Sequence, residues 1–239
     1  SLRELSLWRC AALREPVLRA PALVELNLAQ CVELTDAAVA AAADGCPRLR
    51  SLQLAGCARL ARPAAFGGAE VRALDLSSTE LSDKTISDAV ACAAPRLERL
   101  DVSFIEDLAA PALGAPALRL LAAAGCASLR DEAVTAACAA SPHLATLRLS
   151  LCVGLQRPEL GGGSLAEVNL GGCSALVDAA VTRLCASAPH LRRLSLCLCA
   201  SLVAPVAAGR ALQRLEMAHC DNLANPTLGG GALELVNLS

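Results

Sequence analysis

Tyrosine is absent, and only three aromatic rings, Trp8, Phe66 and Phe104, are spread over 239 residues. Proteins that hold single-stranded nucleic acid stack its bases on such rings, so that mode of binding is nearly excluded. Charge offers no substitute. The 21 basic and 23 acidic side chains leave a net charge of −2, whereas binding a phosphate backbone calls for a concentrated basic face. Lysine is scarce too: Lys84 is the only one, a usage that fits the same coding bias as the abundant alanine and glycine. No run of about 18 residues is apolar without a charge or a proline, so no bilayer-spanning helix is expected, and no secretory signal is visible. Catalytic constellations are missing as well. There is no Gly-x-Ser-x-Gly elbow and no phosphate loop; His143 and His190 stand where Arg48 and Arg96 stand in other repeats, which marks them as surface positions. Neither an enzyme nor a cofactor is expected.

Leucine, in contrast, recurs on a fixed beat. The pattern Leu-x-x-Leu-x-Leu-x-x-Cys begins at Leu2, Leu23, Leu49, Val71, Leu97, Leu118, Leu144, Leu165, Leu191, Leu212 and Leu233, in steps of 21 or 26 residues and once of 22. Periods in the twenties on this template mark leucine-rich repeats, in which each repeat gives one strand to a horseshoe. The expected fold is α/β, a leucine-rich-repeat solenoid with a parallel concave sheet of about 11 strands. Residues 1–239 read as a single domain of this kind. Neither end carries the polar capping unit that solenoids need, so the chain is expected to be a fragment of a longer protein.

The two step lengths correspond to two kinds of repeat. Long repeats, starting at 23, 71, 118 and 165, carry Asp36, Asp83, Asp131 or Asp178 and then an alanine-rich stretch ending before Pro47, Pro95, Pro142 or Pro189. Acid at the start suits the helix dipole, alanine favours helix and proline stops it. Helices are therefore predicted at 36–45, 83–93, 131–140 and 178–187, on the convex side of alternate repeats only. Short repeats all have proline at place fifteen: Pro16, Pro63, Pro111, Pro158, Pro205 and Pro226. Proline removes a donor and pushes its predecessor to extended geometry, so these return arms should hold no helix. Strands stack at about 4.8 Å and helices pack at about 8–10 Å. A helix on every second coil relieves convex crowding, and low curvature is expected.

Thirteen cysteines would suggest disulfides, but their places suggest packing. Cys10, Cys31, Cys57, Cys126, Cys152, Cys173, Cys199 and Cys220 all fill place nine, where Thr79 and Ile105 stand in the other two full repeats. A thiol turning inward there acts as a small hydrophobe and weak donor, and eight buried free thiols are expected. Such thiols imply a reducing compartment, cytoplasmic or nuclear. Cys197 and Cys199 alternate to opposite faces of the strand, which spoils chelation, so no metal site is expected. Cys197 should be the one thiol on the exposed face.

Leu-Thr-Asp-Ala-Ala-Val (34–39), Gly-Cys-Pro-Arg-Leu (45–49) and cysteine at place nine resemble the cysteine-containing subtype of leucine-rich repeat. That subtype is best known from F-box/leucine-rich-repeat proteins, the substrate receptors of SCF-type ubiquitin ligases. The proline-bearing units Leu-Arg-Ala-Pro-Ala-Leu (18–23) and Leu-Gly-Ala-Pro-Ala-Leu (113–118) look like a plant or algal branch of the group. The resemblance implies a substrate-recognition array that meets a Skp1-type adaptor only through an F-box, for which no segment here is free. Similar repeats also serve ciliary and cell-cycle scaffolds, so a non-ligase role stays open.

Whatever the partner, strand alternation sends places three, five and seven to the concave face, the expected protein-binding surface. Two clusters stand out there. Asp75 and Asp101 are neighbours in the ladder, with Phe104 beside them; like charges so placed cost about 0.2–1 kcal/mol and suit a basic partner. Arg148, Arg193 and Arg214, with His219 at the rim, suit an acidic or phosphorylated segment. Glu167 is within reach of Arg193, and Arg99 of the neighbourhood of Asp101. Neither nucleic acid nor membrane is an expected partner.

Overall fold

The computed structural model describes residues 2–62, 70–230 and 232–238. Places three to five of each repeat are extended, from Glu4–Ser6 to Leu235–Asn237, and these eleven strands form one parallel sheet in the order of the repeats. Register never slips. Leu5 stands opposite Leu26, Leu52 opposite Leu74, and Leu215 opposite Val236. A shift of one residue would turn the buried leucine at place four outward and drive the polar residues beside it into the core. Leucines at places one and six complete each coil, as at Leu23, Leu28, Leu49 and Leu54, all fully buried. Truncating such a leucine to alanine costs about 2–5 kcal/mol. The fold is thus a leucine-rich-repeat solenoid, with a core continuous from coil to coil.

The four helices among the described residues are α1 (Asp36–Gly45), α2 (Asp83–Ala93), α3 (Asp131–Ala140) and α4 (Asp178–Ser187), one in each long repeat. None is long and apolar enough to cross a membrane. Each buries a narrow stripe, Ala38, Val39, Ala42 and Ala43 in α1, whose small side chains let the helix lie close against the core. The aspartates that open the helices do more than meet the dipole. Each carboxylate accepts two backbone N–H groups from the return arm of the following short repeat. Asp83 takes those of Ala109 and Ala110 at 2.9 Å, Asp131 those of Gln156 and Arg157 at 3.0 and 2.8 Å, and Asp178 those of Val203 and Ala204 at 3.0 Å. Asp36 holds Ala61 and Arg62 in the same way. One turn on, a hydroxyl takes the first N–H after the arm's proline: Ser87 that of Ala112, Thr135 that of Glu159, and Thr182 that of Val206. An arm without a helix thus satisfies its backbone on its neighbour's helix.

The arms at Pro111, Pro158, Pro205 and Pro226 contain no helix. Pro63, Phe66 and Gly231 lie outside the described residues. Where two short repeats adjoin, extended arms also pair: Val206–Ala208 and Thr227–Gly229 form a separate parallel two-stranded ladder. The sequence suggested extended arms but not this pairing, which arises because no helix holds these two coils apart on their convex side.

All thirteen cysteines are free thiols, and seven of the eight at place nine are buried. Each of the seven donates to the place-six carbonyl of the preceding coil, as in Cys31 to Leu7, Cys152 to Ala123 and Cys173 to Leu149, at 3.0–3.2 Å. Cys10 is the correction: it is exposed, because no described coil lies on the side to which the other seven donate. Cys197 is half-buried, and its sulfur meets the Ser195 hydroxyl at 3.8 Å. Cys197, expected as the one thiol on the exposed face of the strands, is thus less open than Cys10 and than Cys92 on the outer face of α2, both exposed. Burial pushes Cys57 and Cys185 up to about 11 and Cys152 and Cys199 up to about 12; Cys173 is raised too. At neutral pH these sulfurs are protonated packing groups, not nucleophiles.

Candidate protein-interaction face

The parallel sheet brings place five of each coil into one row. Asp75 stands directly opposite Asp101, as the spacing implied. Both are half-buried, and each turns one oxygen back on its own chain. Asp75 Oδ1 accepts from the Ser77 N–H at 3.0 Å and its hydroxyl at 2.7 Å, and Asp101 Oδ1 from the Ser103 N–H at 2.9 Å. Asn27 and Asn169 do the same to Ala29 and Gly171. Place five therefore has a structural duty, an Asx turn that ends the strand. Sequence reasoning missed it, although the recurring Asn or Asp two residues before a small residue was a readable signal. One oxygen of each aspartate is left for a partner. Arg99 lines the same shallow depression as both aspartates. No ion pair joins it to either among the described residues.

Farther along the ladder, Arg193 faces Arg214 on one side and Glu167 on the other. Its guanidinium bonds Glu167 at 2.8 Å, the pairing the sequence suggested. Both ends are about half exposed, so the bond is worth at most about 1 kcal/mol. Arg148 lies two strands before Arg193 and one row over, where it faces Asn169 and, beyond it, Ser195. Arg148, Glu167, Arg193, Arg214 and Glu216 line one open hollow of about 310 Å³. Arg148 and Arg214 are exposed and have no ion-pair partner among the described residues. Two exposed guanidiniums in a shallow trough, which Glu216 also lines, can take separate carboxylates; nothing about them activates a bond.

Place eight forms the rim beside this face, and there the backbone departs from ordinary geometry. In ten successive coils that residue is left-handed, with φ from 54 to 77°. Glycine fits such a position freely, but only Gly56, Gly125 and Gly172 supply it. The rest are Arg9, Gln30, Ser78, Phe104, Leu151, Leu198 and His219. Phe104 and His219 thus sit on the rim, not on the floor with Asp101 and Arg214, and His219 is exposed there. Trp8, at place seven of the first coil, is 56% exposed and carries the Arg9 guanidinium over its ring.

Fold and face together define a leucine-rich-repeat array with an open, mixed-charge concave surface. Among solved structures the chain is similar to one in the crystal structure of the Rad7 and Elc1 complex in yeast. The two share 19% identity with a TM-score of 0.49, over 84% of this chain and 64% of that one. The chain thus spans less than two thirds of the length of that relative. No family model and no curated protein matches the sequence.

Proposed function

We propose that the chain is a protein-interaction scaffold whose concave face holds a protein partner, and that it serves as the substrate-recognition array of an SCF-type F-box protein in the cytoplasm or nucleus. The observation that supports a binding face is the exposed pair Arg148 and Arg214, without an ion-pair partner among the described residues, on a ladder whose other cluster, Asp75 and Asp101, has the opposite sign. A basic stretch of the partner meets the aspartates and an acidic or phosphorylated stretch meets the arginines. The ligase assignment rests on the kind of repeat alone, and a Skp1-type adaptor would be held through an F-box outside this sequence. The reading gives the chain no chemistry of its own.

Affinity purification of the full-length protein from its own cells tests both levels. A co-purifying Skp1-type adaptor supports the ligase role; its absence beside a reproducible partner leaves a non-ligase scaffold. Arg193→Glu with Arg214→Glu should weaken capture of that partner, chiefly through slower association at low salt. Unchanged capture by this double variant removes Arg193 and Arg214 from the site.

A further inference from the structure

Phe104, Leu151 and Leu198 are 56, 51 and 54% exposed, each a large apolar side chain on a left-handed backbone. Such a residue is less stable there than glycine. The three stand on alternate coils, about 9.6 Å apart by doubling the strand spacing. The coils between them carry glycine at the same place. A Cβ at Gly125 would come within 2.6 Å of the Phe104 ring, and one at Gly172 within 2.6 Å of the Leu151 Cδ2. Glycine therefore lets the ring and the leucine lie along the rim toward the next coil, which joins the three into one apolar strip. Beside the strip, place seven holds only small residues, Ser103, Ala124, Ser150, Gly171 and Cys197, so no bulky side chain stands between the rim and the place-five row.

We infer that this rim anchors one segment of a partner protein, in polyproline-II conformation, with an apolar side chain every third residue, basic at its Phe104 end and acidic along Leu151 and Leu198. The inference rests on the binding-scaffold reading and deepens it. Spacing selects the conformation. Polyproline II returns a side chain to the same face every three residues, or about 9.3 Å. A β-strand offers about 6.8 or 13.6 Å on one face, and an α-helix about 10.5 Å at seven residues. Charge selects the polarity. Glu106 and Asp107 line the hollow around Phe104, with Asp101 on its concave side, while Arg148 stands on the coil of Leu151 and Arg214 on the coil after that of Leu198, in a hollow whose acids are Glu167, paired with Arg193, and Glu216. A segment laid the other way would set like charges together at both ends.

The probe is a fluorescein-labelled synthetic peptide in a proline-rich frame, with leucine at every third position, arginines in its first third and glutamates in its last. A second peptide has the same residues in reverse order, and a third has serine for leucine. Fluorescence anisotropy on the 239-residue chain should find one charge order binding at least about tenfold more tightly than the other two peptides. Leu151→Gly and Leu198→Gly should each lose most of that affinity while the melting temperature stays level or rises, because glycine suits the backbone there. A merely structural role for these leucines would not separate binding from stability in this way. Failure of both charged peptides to bind, or equal binding to the wild type and the glycine variants, overturns the inference; equal binding of the two orders overturns its polarity. The broader reading is separable. If the Arg193→Glu, Arg214→Glu protein loses the cellular partner while the glycine variants keep it, the concave face stands and the rim falls.

Discussion

At place nine a thiol ordinarily reaches back one coil to the carbonyl at place six, and two neighbouring coils depart from that habit together. Ile105 has no donor for the Leu76 carbonyl, and Thr79 supplies it instead, its hydroxyl bonding Leu76 within the same coil at 2.6 Å. Thr79→Val should cost about 1–3 kcal/mol, the loss of a donor to a buried acceptor. Adding Ile105→Cys should return part of it, so that denaturant titrations of the two single variants and the double variant are clearly non-additive. The buried thiols set a pH limit as well. Burial holds their folded pKa values above the ordinary 9.0, as at Cys57, so the unfolded chain ionises first. Stability should be full below about pH 9 and lost as pH rises toward the folded values of about 11 to 12 at Cys57, Cys152 and Cys199. Urea unfolding between pH 8 and 11 measures it, and Cys152→Ala with Cys199→Ala should flatten the slope. The thiol row was legible because cysteine recurs at one place. The left-handed rim was not, because glycine, its usual sign, fills only three of ten positions.

Helices are the elements the sequence declares most openly, since aspartate, alanine and proline bracket each one and the observed spans coincide with those brackets. Hidden from a one-dimensional reading was the second use of each aspartate, because its partners lie 25 to 27 residues ahead, in an arm with no pattern of its own. Asp131→Ala should therefore destabilise the array by about 1–3 kcal/mol, more than a lost helix-dipole contact and by the route of two charge-assisted bonds. Asp107→Ala, at an exposed loop position, should stay within about 0.5 kcal/mol. Equal effects on thermal unfolding would return Asp131 to a dipole role alone. Pairing of the arms at Val206–Ala208 and Thr227–Gly229 was illegible for a related reason: it depends on two short coils being adjacent, not on any residue within them.

At the scale of the whole molecule, one helix per two coils should leave the concave sheet flatter than in an array with a helix on every coil. Strand-to-strand rotation measured in a crystal structure over the coils from Leu23 to Leu191 tests this, and rotation equal to that of a helix-per-coil array would mean that arm width does not set the curve. The concave face was legible as a surface, since strand alternation fixes which side chains share it, and the Arg193–Glu167 bond follows from register. Its chemistry was less so, because the Asx turns and the rim are backbone properties. The break in alternation has its own consequence. Leu97, Leu144 and Leu191 lie 47 residues apart, so the translational cell of this one-dimensional crystal is a pair of coils, and the adjoining short coils at 191 and 212 are a stacking fault. A crystal tolerates the loss of a whole cell but not of half of one. Excising residues 97–143 should give a shorter, cooperatively folding array in which every interface is of a kind already present. Excising residues 97–117 should set α2 and α3 on adjacent coils, at a strand spacing of about 4.8 Å that two helices cannot share.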